Sequence, residues 1–120
     1  MSLAADIVIA LIAAIHVYIL VLESFLWGQA VRVFAIPKVL REEKLLRVML
    51  QNQGLYNGFL AAGLIWGLLH PDPAVGLQLK FFFVGCVAIA GVVGAITAQV
   101  RILFIQTVPA LLATVLLFLV

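Results

Sequence analysis

Charged residues are scarce in this chain. Asp, Glu, Lys and Arg together make up 10% of its 120 residues, whereas apolar residues make up 67%. In soluble domains about a quarter of the residues are charged. A mean hydropathy of +1.32 points the same way. The composition therefore excludes an ordinary soluble domain and indicates an integral membrane protein.

Cysteine is almost absent, since Cys86 is the only one. A single cysteine cannot form an intrachain disulfide or supply a zinc site of the usual spacing. The sequence also lacks a nucleotide-binding loop, paired histidines for haem and a dense group of metal ligands. We therefore expect no cofactor and no metal. The cationic patch described below is too small to indicate binding of nucleic acid.

Four long apolar runs fill most of the sequence. A membrane span needs about 20 mostly apolar residues. The runs that meet this length are residues 7–27, 50–69, 77–97 and 102–120. We predict an all-α fold in which a single domain, residues 1–120, forms an integral membrane four-helix bundle. The first run begins with Asp6 and no positive charge, which favours a retained span over a signal peptide.

Six of the seven cations lie on one side of the predicted bundle. Five precede the second span and one lies between the third and fourth spans; they are Arg32, Lys38, Arg41, Lys44, Arg47 and Arg101. Only Lys80 falls near the opposite side. The positive-inside rule then places both chain termini outside the cytoplasm. We expect a multi-pass protein of the cell membrane, which in a bacterium is the inner membrane.

The polar segment between the first two spans has an amphipathic pattern. Charged and apolar side chains alternate in residues 38–50, after Pro37, which is tolerated in the first turn of a helix. This pattern predicts a short amphipathic helix at the inner membrane surface. In residues 28–50, five cations less Glu42 and Glu43 leave a charge of +3. This excess favours attraction to anionic lipid headgroups.

Polar side chains from three predicted spans lie in the cytoplasmic half of the bundle. His16 and Glu23 are seven residues apart, which places them on one helix face about 10 Å from each other. The second and fourth spans add further polar groups that enter the membrane from the cytoplasmic side. We predict a ligand or proton site formed by His16, Glu23, Gln53, Tyr56, Asn57 and Gln106.

Three interpretations of Glu23 stay open. Its side chain can extend to the inner interface, it can be a structural hydrogen-bond hub with His16, Gln53 or Asn57, or it can bind a substrate or carry protons. An ionisable group in the centre of a membrane helix costs roughly a few kcal/mol. Such a residue is therefore expected to have a partner or a task.

Residues 52–64 resemble a family of small bacterial and fungal membrane proteins, domain of unknown function 1304. The first span is similar to the opening pattern of that family, with His16, Tyr18, Glu23, Phe25 and Trp27. The turn at 94–97 and the stretch at 106–110 also resemble it. The resemblance covers almost the whole chain. It implies a four-helix membrane protein and carries no activity with it.

Three functions fit these observations. The first is small-molecule binding or proton-coupled transport through the polar cluster, with a small hydrophobic ligand and a parallel homo-oligomer both left open. In format the chain is similar to small multidrug resistance exporters, although those work as antiparallel pairs with little charge bias. The second is a membrane-embedded isomerase or hydratase for a lipid-soluble substrate, with His16 and Glu23 as acid and base. The third is a structural accessory subunit, so whether the chain is an enzyme stays open.

Overall fold

The computed structural model describes residues 3–119, and every regular element in that range is helical. The α-helices are α1 (Leu3–Phe25), α2 (Trp27–Val33), α3 (Lys44–Leu69), α4 (Pro73–Thr97) and α5 (Val108–Phe118). A 3₁₀ turn, Lys38–Leu40, precedes α3, and a π-helical segment, Leu103–Thr107, precedes α5. The prediction of an all-α fold is confirmed. Val120, the last residue of the predicted fourth span, lies outside the described residues.

In the described part of the chain, α1 and α4 are long and apolar enough to cross a membrane. They contain 23 and 25 residues, which corresponds to about 35 Å and 37 Å of helix. Only 33% of the apolar stretch of α1 and 22% of that of α4 are buried inside the protein. A shorter apolar helix, Leu103–Phe118, includes the π-helical segment. Two of the four predicted spans therefore satisfy both length and composition.

The chain divides into two compact units. One unit takes residues 3–14 and 60–119, and the other is Ile15–Phe59. Helices α1 and α3 continue across the boundary, so each contributes to both units. The single domain of residues 1–120 and the four-helix bundle stay predictions.

Four helices supply the core of the first unit, namely α1, α3, α4 and α5. Its buried apolar residues are Ala5, Ile9, Ile12, Ala13, Leu64, Val84, Val87, Ala110, Ala113 and Leu117. Within each helix they mostly recur at steps of three or four, as one face of a helix requires. Four of the ten are alanines, which allow helix backbones to approach closely.

The π-helical segment lies where Pro109 enters the last helix. The backbone N–H of Val108 donates to the carbonyl of Leu103, five residues earlier. Pro109 has no N–H to donate, so a regular α-helical ladder is interrupted at this point. At the end of the segment the Thr107 hydroxyl donates to the Ala88 carbonyl of α4, at 3.0 Å. This bond joins the irregular turn to its neighbouring helix.

Helix α2 ends in a Schellman motif, with an alanine at the position where glycine is usual. The N–H of Ile36 donates to the carbonyl of Val31 at 3.0 Å, and the N–H of Ala35 donates to that of Arg32 at 3.3 Å. Ala35 has a φ of 51°, in the left-handed region. Val31 and Ile36 are both buried, which provides the apolar contact that accompanies this motif.

The separate amphipathic helix predicted for residues 38–50 does not form. After the 3₁₀ turn, the N–H of Glu43 donates to the Leu40 carbonyl, and α3 begins at Lys44. From there to Leu69 no proline interrupts the helix, so residues 44–50 become the first two turns of α3. The alternating pattern is therefore divided between a tight turn and the start of a long helix.

Candidate functional site

Glu23 lies in the last turn of α1, and its side chain is 2% exposed. The helical repeat places it on the same face as His16, two turns earlier, which is 1% exposed. Removing an ionised carboxylate from water is very costly unless the protein supplies hydrogen bonds or a counter-charge. The partners of Glu23 therefore determine what this site can do.

Two side-chain amides of α3 donate to the two oxygens of the Glu23 carboxylate. Gln53 Nε2 donates to Oε2 and Asn57 Nδ2 donates to Oε1, each at 2.9 Å. Asn57 Nδ2 also donates to the Gln53 carbonyl at 3.0 Å, which fixes the amide along its own helix. Gln53 and Asn57 are one helical turn apart, so both reach the same point on α1. We name Glu23, Gln53 and Asn57 the carboxylate–amide cluster.

Glycine allows α3 to lie close enough to α1 for these bonds. A Cβ atom at Gly54 would lie 2.6 Å from the Ser24 hydroxyl and 3.1 Å from the Cβ atom of Glu23. One turn later, a Cβ atom at Gly58 would lie 3.1 Å from the Leu20 side chain. A larger residue at Gly54 would therefore push the two helices apart at the position of the cluster. This is the close approach that small residues provide between membrane helices.

The hydrogen-bond donors that reach Glu23 within its own unit carry no charge. Both are amides, and no lysine or arginine of residues 15–59 forms an ion pair with this carboxylate. Gln53 is exposed, so the cluster has one edge at the surface of the protein. The described residues contain no group of three or more His, Cys, Asp or Glu that could hold a metal. The chemistry present suits a proton, an organic cation or another hydrogen-bond donor.

The other predicted site residues lie outside the carboxylate–amide cluster. His16 is buried in α1, but the hydrogen bonds to Glu23 come from the two amides. Tyr56 is 63% exposed and contacts Phe59 edge-on, with ring centroids 5.9 Å apart. Gln106 belongs to the unit that includes residues 60–119, and it is partly buried on the π-helical segment. Within the unit Ile15–Phe59, hydrogen bonds thus join three of the six residues, Glu23, Gln53 and Asn57.

An ion pair with one buried member was missed by sequence reasoning. Lys80 of α4 is 1% exposed, and its Nζ lies 2.8 Å from Oδ1 of Asp6 in α1. A Cβ atom at Gly67 of α3 would lie 3.1 Å from the Lys80 Cγ, so glycine makes room for the lysine stem. The sequence carried one signal, a lone cation in the apolar run of residues 77–97 and a lone acid near the start of α1. It contained no indication that the two were neighbours.

A model of the family "Protein of unknown function (DUF1304)" matches residues 10–118. The chain belongs to this family. The resemblance in residues 52–64 is therefore confirmed. The DUF1304 match contains the whole carboxylate–amide cluster and Lys80, whereas Asp6 precedes it.

A curated protein of similar length resembles this chain. The Uncharacterized protein YpaA of Lactococcus lactis is 28% identical over 118 residues, which cover 96% of this chain and 97% of the relative. No solved structure matches the chain. The DUF1304 chain is thus similar to a bacterial protein over essentially its full length.

Proposed function

We propose that this chain is an integral membrane protein that binds a small molecule at the carboxylate–amide cluster and couples its transport to proton exchange at Glu23. The observation that carries this proposal is a carboxylate that is 2% exposed and accepts hydrogen bonds from two neutral amides, with no lysine or arginine of residues 15–59 in an ion pair with it. A site of this kind gains free energy by taking up a proton or a cationic group.

The exposed apolar surface supports insertion into a membrane. A soluble protein buries its long apolar helices, but α1 and α4 leave most of their apolar stretches uncovered. Large side chains such as Ile7, Phe82 and Ile89 are more than half exposed. Exposed apolar surface of this extent favours a nonpolar surrounding such as lipid tails. We propose four spans formed by α1, α3, α4 and the helix that ends in α5.

The buried ion pair strengthens the proposed orientation. The positive-inside rule counts cations in loops near the ends of spans. Lys80 is 1% exposed and paired with Asp6, so it is not a loop charge. The remaining six cations all fall on the side of the two inner connections. This distribution favours both chain termini outside the cytoplasm, in a multi-pass protein of the cell membrane.

Transport is favoured over catalysis by the position of Tyr56. An isomerase or hydratase would need side chains that orient a substrate beside the acid and base. Tyr56 is the candidate for this role that lies next to Asn57, and its side chain is exposed and contacts Phe59. A structural role has specific support, because the amides join α1 to α3 at the cluster. The experiment must therefore separate binding from stability.

Native mass spectrometry of the protein purified in mild detergent tests the proposal directly. Glu23→Gln keeps the size of the side chain but removes its charge, and Glu42→Gln removes an exposed carboxylate as a matched control. We expect a small molecule bound to the wild type and to Glu42→Gln. Its affinity should fall roughly 10- to 100-fold in Glu23→Gln, since hydrogen bonds to charged groups contribute about 1.5–3 kcal/mol.

The same samples distinguish the structural role. If the cluster only joins two helices, Glu23→Gln should lower the stability of the protein and leave its bound molecules unchanged. Proton coupling is tested in proteoliposomes that contain the protein and the identified molecule. An imposed pH gradient should drive uptake by the wild type and not by Glu23→Gln. Equal uptake by both proteins would contradict the role of Glu23 in proton exchange.

A further inference from the structure

The connection between α2 and α3 presents cations and apolar groups on one exposed segment. We define the basic segment as residues 36–50, which contains the 3₁₀ turn and the first two turns of α3. It has four exposed cations, Lys38, Arg41, Lys44 and Arg47. Its two acidic residues, Glu42 and Glu43, are also exposed. The segment therefore carries a net positive charge at the surface.

Two of these cations are placed side by side by the backbone. The N–H of Arg41 donates to the carbonyl of Lys38 at 3.2 Å, which closes a 3₁₀ turn. Side chains three residues apart lie on the same side of such a turn. Arg41 is also anchored, because its Nε donates to the Ile36 carbonyl at 2.9 Å. That bond uses one of the five guanidinium N–H donors and leaves the four on the terminal nitrogens out of it.

The cation of Arg47 has a different partner. Its guanidinium carbon lies 5.7 Å from the ring centroid of Trp27, at the start of α2. This distance is typical of a cation–π contact. Arg47 therefore holds the beginning of α3 against α2. Of the other three cations, Lys38 and Arg41 are the two that the 3₁₀ turn places next to each other.

An apolar groove lies on the same segment. It has a volume of about 300 Å³ and is lined by Val39, Leu40, Glu43, Leu45, Leu46 and Met49. Val39 is 80% exposed and Leu45 is 68% exposed. In water such side chains would be unfavourable, whereas acyl chains would cover them. The neighbouring cations Lys38 and Arg41 lie on the same segment as this groove. Together they match a molecule with an anionic head and an apolar tail.

We propose that the basic segment binds an anionic phospholipid, with its phosphate at Lys38 and Arg41 and part of an acyl chain in the groove. Arg is suited to phosphate because its donors form a rigid fork, and Lys adds a second positive charge. This inference rests on the membrane insertion proposed above and not on the Glu23 site. It assigns an anionic phospholipid to residues 36–50.

Competition between two lipids in native mass spectrometry tests this assignment. The full-length protein in detergent is mixed with equal amounts of phosphatidylglycerol and phosphatidylcholine, which differ in headgroup charge. Near an anionic surface each Lys or Arg contributes about 1 kcal/mol, or roughly fivefold in affinity. We expect preferential binding of phosphatidylglycerol, and a loss of about 30-fold in Lys38→Gln/Arg41→Gln.

A second variant, which should strengthen lipid binding, keeps the test independent of folding. Arg41→Gln removes the bond to Ile36, so the first variant can also loosen the turn. Glu42→Gln/Glu43→Gln retains both cations and should increase the preference for phosphatidylglycerol. Equal binding of the two lipids, or no change in either variant, would overturn the proposal. Displacement of the lipid by inorganic phosphate at similar concentration would also overturn it, because the acyl chain would then contribute nothing.

The membrane proposal can fail separately. If the wild type stays soluble and monomeric without detergent, insertion into the membrane is wrong. If it needs detergent but binds both lipids equally, only the lipid site is wrong.

Discussion

Removing either partner of the Asp6–Lys80 ion pair should destabilise the protein, by different amounts. Asp6→Asn leaves an ammonium group that is 1% exposed without a counter-charge. Lys80→Met leaves a carboxylate that is 28% exposed and can still contact a polar surrounding. Removing one partner of a buried pair costs about 3–5 kcal/mol. We therefore expect Asp6→Asn near the upper end of this range and Lys80→Met near or below the lower end.

The double variant should recover most of this loss. Asp6→Asn/Lys80→Met removes both charges, and the flexible methionine fills the space of the lysine stem beside Gly67. Replacing a buried ion pair by well-packed neutral groups is often neutral or stabilising by about 1–4 kcal/mol. The coupling free energy should therefore be at least about 3 kcal/mol.

A double-mutant cycle measures this coupling. The free energy of unfolding is obtained for the four proteins by titration with sodium dodecyl sulfate in mixed micelles, followed by circular dichroism. Lys38→Gln is the control, because this exposed lysine should change stability by less than about 0.5 kcal/mol. Additive effects within about 0.5 kcal/mol would refute the coupling. A larger loss in Lys80→Met than in Asp6→Asn would refute the argument from burial.

Two further predictions concern backbone positions. Gly91→Ala should destabilise the protein by about 1–3 kcal/mol, because its Cβ atom would lie 2.8 Å from the backbone nitrogen of Thr107. Gly85→Ala, on the same helix, has open space within 4 Å and should be neutral or stabilising by up to about 1 kcal/mol. Both are measured by the same unfolding titration, and equal effects would contradict the close contact at Gly91. Ala35→Gly should raise stability by about 1 kcal/mol, since glycine adopts the left-handed conformation without strain, and a loss of stability would contradict the Schellman motif.

The long helices were predictable because apolar runs are a local property. Residues 50–69 and 77–97 lie entirely within α3 and α4. The start of α3 was not predictable in this way. Its first two turns carry charged residues and were assigned to a separate helix, although nothing after Lys44 breaks the helix. Charge alternation describes where a segment meets water, and it does not locate a helix boundary.

The polar contacts were predictable only in part. Gln53 and Asn57 are four residues apart on α3, so the sequence showed that they share a face. Tyr56 is adjacent to Asn57 in sequence, and the rotation of about 100° between successive residues of a helix leaves it exposed. Asp6 and Lys80 are 74 residues apart, and only tertiary packing brings them together. Local periodicity predicts the face of a side chain but not which helix covers that face.

The carboxylates of Asp6 and Glu23 differ in how their charge is balanced. Asp6 meets an ammonium group at 2.8 Å, so that pair is electrically neutral without any further molecule. Glu23 meets two amides, which donate hydrogen bonds but carry no charge. Where water is excluded, hydrogen bonds reduce the free-energy cost of burying an anion, but they do not cancel its charge. The Asp6 pair can therefore be complete as part of the fold, whereas an ionised Glu23 would keep a charge that a proton or a cationic group neutralises. This difference is the physical reason for assigning exchange to Glu23 and not to Asp6.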